Sequence, residues 1–179
     1  GWSEMHPLNG PAWSLFFEYV ANILYAVLIR KFTSRWLAVL VFLAGCALIH
    51  QCYTQGNNIG GWTLDAEQCR VGLTRLMFPF FGGLLLFRLC KPGRLRHGFW
   101  WCSLLLAGAL AAPHVGGAEN FRLNGLYDAF CIIVIFPAVV FLGASDIPGD
   151  ISSRASRFLG NISYPLYITH YPIVYLYLA

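Results

Sequence analysis

The sequence predicts an all-α membrane protein, a polytopic bundle of about six transmembrane helices. Of its 179 residues, 58% are hydrophobic and only 11% are charged, whereas roughly a quarter of an ordinary soluble domain is charged. Six apolar runs, each near the roughly 20 residues that cross a bilayer, are separated by charged or turn-forming segments. A chain of this composition is expected in a lipid bilayer.

The six runs follow one another with short connections. They cover residues 12–30, 36–53, 73–90, 98–116, 125–144 and 158–179. The second and third have the shortest apolar cores, because His50 and Gln51 close one while Arg75 and Pro79 interrupt the other. The chain begins without Met and ends inside an apolar run, so we expect residues 1–179 to be a single, partial transmembrane domain of a longer protein.

Basic residues are distributed unevenly among the connections. Nine of the twelve Lys and Arg lie in or beside the first, third and fifth connections, and three lie in or beside the second and fourth. Lys and Arg in short loops stay on the cytoplasmic side of a membrane. The alternation predicts that Arg30 and Arg94 share the inner face and that Trp2 and Ala179 share the outer face.

The composition also excludes several classes of protein. A net charge of +4 without a concentrated basic face gives no argument for nucleic acid as a partner, and 16% aromatic residues are too many for a disordered tail. The six cysteines lack metal-ligand spacing, so no metal site is predicted. Cys52 and Cys69 flank the longest outward connection, where a disulfide is an option if that loop faces an oxidising compartment.

Glu18 is a candidate for the functional site. It lies seven residues after Pro11, which suits the first turn of a helix, so a continuous helix places the carboxylate about 10 Å below the outer entrance. Carboxylates at membrane depth usually face a bundle interior or a water-filled cavity and carry a function. The alternative interpretation is an interfacial Glu at a helix start.

His170 is a second candidate, about 18 Å from the inner end of the sixth run. Pro165 and Pro172 flank it, and each removes a helical N–H and can free a carbonyl toward a polar cavity. The polar cluster Asn161-x-Ser163-Tyr164 precedes it on the same helix, which favours a functional His over one packed in a tyrosine belt. We expect Glu18 and His170 to point into one cavity.

Arg75 begins a segment that ends in Gly82-Gly83, where small residues permit close helix approach. Its guanidinium is expected either to snorkel to the interface or to pair with a carboxylate or an anionic substrate. The chain contains no P-loop, dinucleotide-binding, zinc-protease or nucleophile-elbow motif. The residues alone therefore predict an outward-facing polar cavity that suits either transport or chemistry.

Three segments carry motifs in order along the chain. Trp13-Ser14-Leu15-Phe16-Phe17-Glu18 resembles W-S-L-x-x-E, residues 75–88 resemble R-x-x-F-P-F-F-x-G-x-L-L-x-R, and residues 159–172 resemble G-x-I-S-Y-x-L-Y-x-x-H-x-P. These are signatures of the acyltransferase-three family of integral membrane O-acyltransferases, and the resemblance spans nearly the whole chain. One departure is Ala21-Asn22, where many members have Phe-Tyr.

The resemblance implies a reaction and its partners. Members take an acyl group from a cytoplasmic acyl-CoA, with acetyl-CoA as the expected co-substrate, and transfer it to a hydroxyl acceptor, often a sugar of a surface glycan. No bound cofactor is implied, and the expected location is a bacterial inner membrane. A His and an Arg that act catalytically in the family lie upstream of W-S-L-x-x-E, so this fragment alone is expected to be inactive.

The resemblance also implies roles for individual residues. Glu18 and His170 are the expected catalytic residues, in supporting roles beside the upstream base. The expected substrate-binding set combines aromatic and polar residues of the three motifs: Trp13, Ser14, Asn22, Arg75, Ser163 and Tyr164. Two other functions stay open, a transporter or flippase without covalent chemistry and a structural membrane subunit that would not need Glu18.

Overall fold

A computed structural model of the chain describes residues 12–27, 31–112, 119–147 and 149–178. Most of these residues are helical, which confirms the all-α class. The helices are α1 (Trp13–Val27), α2 (Ser34–Gln55), α3 (Ala66–Leu89), α4 (Gly98–Ala111), α5 (Phe121–Phe130), α6 (Phe136–Ala144) and α7 (Asp150–Leu178). A π-helical turn, Cys131–Ile135, joins α5 to α6 in one continuous rod. Trp2, Pro11, Arg30 and Ala179, on which parts of the predicted topology rest, lie outside the described residues.

Three helical rods in the described part of the chain are long and apolar enough to cross a membrane: Ser34–Gln55, Ala66–Leu89 and Phe121–Ala144. Helices α1 and α4 are apolar but shorter. The chain is therefore an integral membrane protein by the length and composition of its helices. Helix α7 has 29 residues and carries Pro165 and Pro172 in its interior.

Two helices begin at least seven residues earlier than the apolar runs predicted. Helix α3 starts at Ala66 rather than near residue 73, because Asp65 caps it: the Oδ1 atom of Asp65 accepts a hydrogen bond of 2.9 Å from the Gln68 N–H. Helix α7 starts at Asp150 rather than near residue 158. An apolar run marks the part of a helix that suits lipid, whereas the polar turns before it, capped by Asp65 in α3, belong to the same helix.

The described parts of the first, third and fifth connections lie at one end of the bundle, as the alternation of basic residues predicts. The Nη1 atom of Arg88 donates to the Phe32 carbonyl at 2.7 Å, which ties the end of α3 to the connection before α2. Two short parallel strands, β1 (Leu95–Arg96) and β2 (Asp146–Ile147), pair the third connection with the fifth. At the other end, the Asn58 N–H donates to the Asp128 carboxylate at 3.2 Å.

The buried core lies along α2. This helix packs against both α3 and α5, while α1 packs against α3 and α4 against α6. One buried cluster contains Leu48, Cys52, Phe78 and Ala129. A second is built on Leu37 and Phe81. The side of α3 that faces away from α2 is left to line a cavity with α1, α6 and α7.

Candidate functional site

A cavity of about 740 Å³ runs beside α3, within the size range of small-molecule sites. Polar and aromatic side chains line the part near the start of α1, and hydrocarbon side chains line the part toward the ends of α3 and α6. We call these the polar half and the apolar half. The polar half contains Trp13, Ser14, Glu18, Asn22, Asn58, Arg75 and Tyr167. The apolar half contains Leu76, Pro79, Phe80, Gly83, Leu86, Ile132, Phe136, Pro137 and Val140. Phe17 also lines the cavity.

Helix α1 is held against α3 by a close contact between Phe17 and Gly72. The Phe17 side chain is only 2% exposed, and a Cβ atom at Gly72 would overlap its ring. Only glycine leaves room for this approach. Because residues three and four apart share a helix face, the same register directs Trp13, Ser14 and Glu18 toward the cavity.

Arg75 is fixed by an aromatic ring and a backbone carbonyl. Its guanidinium carbon lies 4.3 Å from the centroid of the Trp13 ring, and its Nη1 atom donates to the Gly60 carbonyl. The side chain is half-buried, so it does not snorkel out of the bundle. A guanidinium has five N–H donors, and within the described part of the chain only the bond to Gly60 uses one of them, so the others can donate to an anion or a carbonyl oxygen of a ligand.

The loop between α2 and α3 supplies the carbonyl that binds Arg75. Gly61 has φ +98°, a conformation that side chains disfavour, and a Cβ atom there would lie 3.1 Å from the Trp13 ring. Its N–H donates to the Oε1 atom of Gln68 at 2.6 Å, which ties the loop to the first turn of α3. The loop is thereby held close to Trp13, with the Gly60 carbonyl directed at Arg75.

A hydrogen bond between Ser14 and Tyr167 joins α7 to α1. The two hydroxyl oxygens are 2.6 Å apart, and both residues line the cavity. Tyr167 was not among the sequence candidates. The sequence offered one indication of it, because Tyr167 lies one helical turn after Ser163 and Tyr164, which were predicted to bind substrate.

Glu18 and Asn22 occupy successive turns of α1 along the cavity. The Asn22 side-chain amide donates to the backbone carbonyl of Glu18 at 2.8 Å. The Glu18 side chain is exposed, and within the described part of the chain its carboxylate has no hydrogen-bond or ion-pair partner. It is free to accept a hydrogen bond from a ligand or from a basic group.

Three of the sequence candidates on α7 do not line this cavity. Ser163 donates to the Gly160 carbonyl of its own helix at 2.9 Å, and Tyr164 is 60% exposed. The Nδ1 atom of His170 is 2.9 Å from the Leu166 carbonyl. Since a carbonyl oxygen only accepts, Nδ1 carries the proton and, in the neutral ring, Nε2 has the lone pair.

Glu18 lines the cavity, but His170 does not. The expectation that the two residues share one cavity is therefore wrong. The α7 register places Tyr167 at the cavity wall, and the bond to Leu166 draws the His170 ring back along its own helix. The His170 ring lies 6.1 Å from the Tyr167 ring, centroid to centroid. His170 therefore contacts the lining of the cavity through Tyr167.

The disulfide that the sequence left open does not form. Cys52 and Cys69 are both free thiols, as are the other four cysteines. Cys52 is fully buried between helices, and the Cys69 sulfur contacts the Thr63 carbonyl at 3.9 Å. Hydrogen bonds and glycine geometry, rather than a disulfide, shape the loop between α2 and α3.

The fold is that of a polytopic membrane protein, and its cavity is polar at one end and apolar at the other. The model of the acyltransferase-3 family, described as an acyltransferase domain, matches residues 1–178. The chain belongs to this family, and the function that follows is that of a membrane acyltransferase. No curated protein and no solved structure matches the chain.

Proposed function

We propose that this chain contributes to an O-acyltransferase that moves an acyl group from a cytoplasmic acyl-CoA to a hydroxyl of a cell-surface or exported glycan. Acetyl-CoA is the proposed donor, and a bacterial inner membrane is the proposed location. The supporting observation is that one continuous cavity joins a polar half to an apolar half. The polar half suits a sugar and a reacting carbonyl, and the apolar half leads toward the basic connections.

The proposed reaction transfers an acyl group from a thioester, acyl-CoA, to a hydroxyl, which becomes an oxygen ester. The acceptor hydroxyl oxygen attacks the thioester carbon, and a carbon–oxygen bond forms as the carbon–sulfur bond breaks. The hydroxyl proton passes to a base, and coenzyme A leaves as a thiolate that takes up a proton. The family resemblance assigns the base to a histidine upstream of this chain.

Arg75, Ser14 and Tyr167 are proposed to stabilise the oxygen of the tetrahedral intermediate. Negative charge develops on that oxygen during attack, and preorganised donors in a site shielded from water stabilise it strongly. Arg75 is suited to this role because Trp13 and the Gly60 carbonyl already fix its guanidinium. The Arg75 side chain therefore loses little further conformational entropy when the substrate binds.

Glu18, Trp13 and Asn22 are proposed to position the acceptor. The Glu18 carboxylate can accept a hydrogen bond from a sugar hydroxyl or orient the upstream base. Trp13 lines the cavity beside Arg75 and is proposed to contact a sugar ring there. His170 is proposed to act through Tyr167, as a positioning residue, because their rings are in contact.

The test is transfer of an isotope-labelled acetyl group by membranes that contain the full-length protein. We expect alkali-labile label in the glycan, together with one free coenzyme A thiol for each ester formed. The variant Arg75→Gln should lose transfer, whereas Arg70→Gln, an exposed arginine on the same helix outside the cavity, should retain it. Passage of unmodified glycan across the membrane without thiol release would support a transporter and overturn the proposal.

A further inference from the structure

The apolar half of the cavity is lined by side chains that contain no polar atom. It extends along α3 from below Arg75 to Leu86, eleven residues or about 16 Å of helix rise. Leu86 and Val140 mark its far end, close to the ends of α3 and α6. The end of α3 leads into the connection that carries Lys91, Arg94 and Arg96, and β1 of that connection pairs with β2, which follows α6.

Gly83 occupies this wall without filling the space before it. A Cβ atom at Gly83 would meet no atom within 4 Å, and the residue is exposed although it lies in the interior of α3. Glycine destabilises a helix interior by roughly 1 kcal/mol relative to alanine. Packing against a neighbour therefore does not require glycine at position 83. A larger side chain there would instead project into the cavity and reduce its open space.

We propose that Gly83 is a donor-specificity residue, whose missing side chain leaves room for the pantetheine arm of acyl-CoA to reach the polar half. This inference rests on the proposed function and assigns the apolar half to one part of the donor. The arm is a narrow chain of comparable extended length that joins the thioester to the phosphates of coenzyme A. With the thioester beside Arg75, the arm passes Gly83 and the phosphates emerge at the basic end.

Two prolines on the same walls suit an arm that carries amides. Pro79 and Pro137 both line the cavity, and a proline has no N–H to donate to the carbonyl four residues earlier. In the α-helical part of α3, the carbonyl of Arg75 thus loses its usual donor, whereas Pro137 follows the π-helical turn, where the bonds run five residues apart. An arm with two amide N–H groups can donate to carbonyls of this kind, whereas a plain hydrocarbon chain cannot.

The test compares two thioester donors in full-length Gly83→Leu protein. Acetyl-CoA has the full arm, whereas acetyl-N-acetylcysteamine has an arm too short to extend from Arg75 to Gly83, which lie about 12 Å apart in helix rise. We expect kcat/KM for acetyl-CoA to fall at least about tenfold, mainly through KM, as misfit in an apolar site predicts. Transfer from acetyl-N-acetylcysteamine and the KM of the glycan should stay near wild type.

The matched control is Gly108→Leu, because Gly108 also lies in an apolar helix with no atom within 4 Å of a Cβ, but outside the cavity. It should leave both donors unaffected, and Gly83→Ala should give a smaller loss than Gly83→Leu. Equal loss with both donors, or no loss with either, would overturn the role of Gly83. Failure of the wild-type protein to use either donor would instead overturn the proposed function.

Discussion

The guanidinium of Arg75 stacks on the indole ring of Trp13, with 4.3 Å between the guanidinium carbon and the ring centroid. The same guanidinium binds the Gly60 carbonyl. One side chain thus joins α1, α3 and the loop between α2 and α3. The polar half of the cavity depends on contacts among parts of the chain that are distant in sequence.

Loss of this stacking should lower stability in a way that depends on both partners. Cation–π contacts contribute about 0.5–2 kcal/mol, more when they are shielded from water. We expect a double-mutant cycle of Trp13→Leu and Arg75→Gln, measured by thermal unfolding in detergent, to give a coupling energy of about 1 kcal/mol. Strictly additive effects would show that the two side chains are neighbours without an energetic interaction.

The hydrogen bond between Ser14 and Tyr167 should stabilise the docking of α7. A hydrogen bond of this kind contributes about 1 kcal/mol net, so Ser14→Ala and Tyr167→Phe should each lower the thermal midpoint, and the double variant should lower it little further. Tyr164→Phe is the control, because this exposed tyrosine lies on the same helix outside the cavity. An equal loss in Tyr164→Phe would remove the special role of Tyr167.

The close approach of α1 to α3 should not tolerate a side chain at position 72. Gly72→Ala places a methyl group against the buried Phe17 ring, and overpacking of this kind costs about 1–3 kcal/mol. Adding Phe17→Leu should recover part of the loss by making room. Gly108→Ala, which meets open space, should be neutral or stabilising. Unfolding in detergent measures all four proteins, and a stabilised Gly72→Ala would contradict the packing described here.

Acid should weaken the start of α3. Hydrogen bonds from the Thr63 hydroxyl and the Gln68 N–H hold the pKa of Asp65 below its usual value of 3.8. A carboxylate with a lowered folded-state pKa stabilises the fold above its unfolded-state pKa, and the contribution is lost as pH falls through the folded-state value. The thermal midpoint of wild type should therefore exceed that of Asp65→Ala by more at pH 6 than at pH 3.

Glu67→Gln is the control for this pH dependence, since it removes a carboxylate from the same turn without removing the cap. The difference between its midpoint and that of wild type should change less between the two pH values. A difference between wild type and Asp65→Ala that stays constant over the range would show that the charge on Asp65 contributes nothing to the cap.

Much of the architecture follows from the sequence because helix type and apolar length are local properties. The apolar runs identified the helices, and the resemblance to W-S-L-x-x-E selected Trp13, Ser14 and Glu18, all of which line the cavity. The early start of α3 was missed because Asp65 and Glu67 appeared as loop charges, although an Asp three residues before Gln68 is a recognisable N-cap.

The partners of these side chains could not be predicted in the same way. Tyr167 meets Ser14 only because α7 docks beside α1, and Gly60 meets Arg75 through a loop whose shape depends on Gly61. His170 was misplaced because helix rise predicts a position along α7 but not the rotation of α7 about its axis. A sequence period gives the spacing of residues on a helix but not which neighbour the helix presents them to.

The most direct test of the proposed site is acyl transfer by full-length Glu18→Gln protein. The substitution keeps the size and hydrogen-bonding capacity of the side chain but removes its charge, so insertion and abundance should stay near wild type. Trp13→Phe and His170→Gln, assayed beside it, probe the stacking surface and the position of Tyr167. The quantity to measure is acylated product per unit of membrane-inserted enzyme. We expect Glu18→Gln to abolish transfer, and full activity in this variant would contradict the assignment of the cavity as the site of acyl transfer.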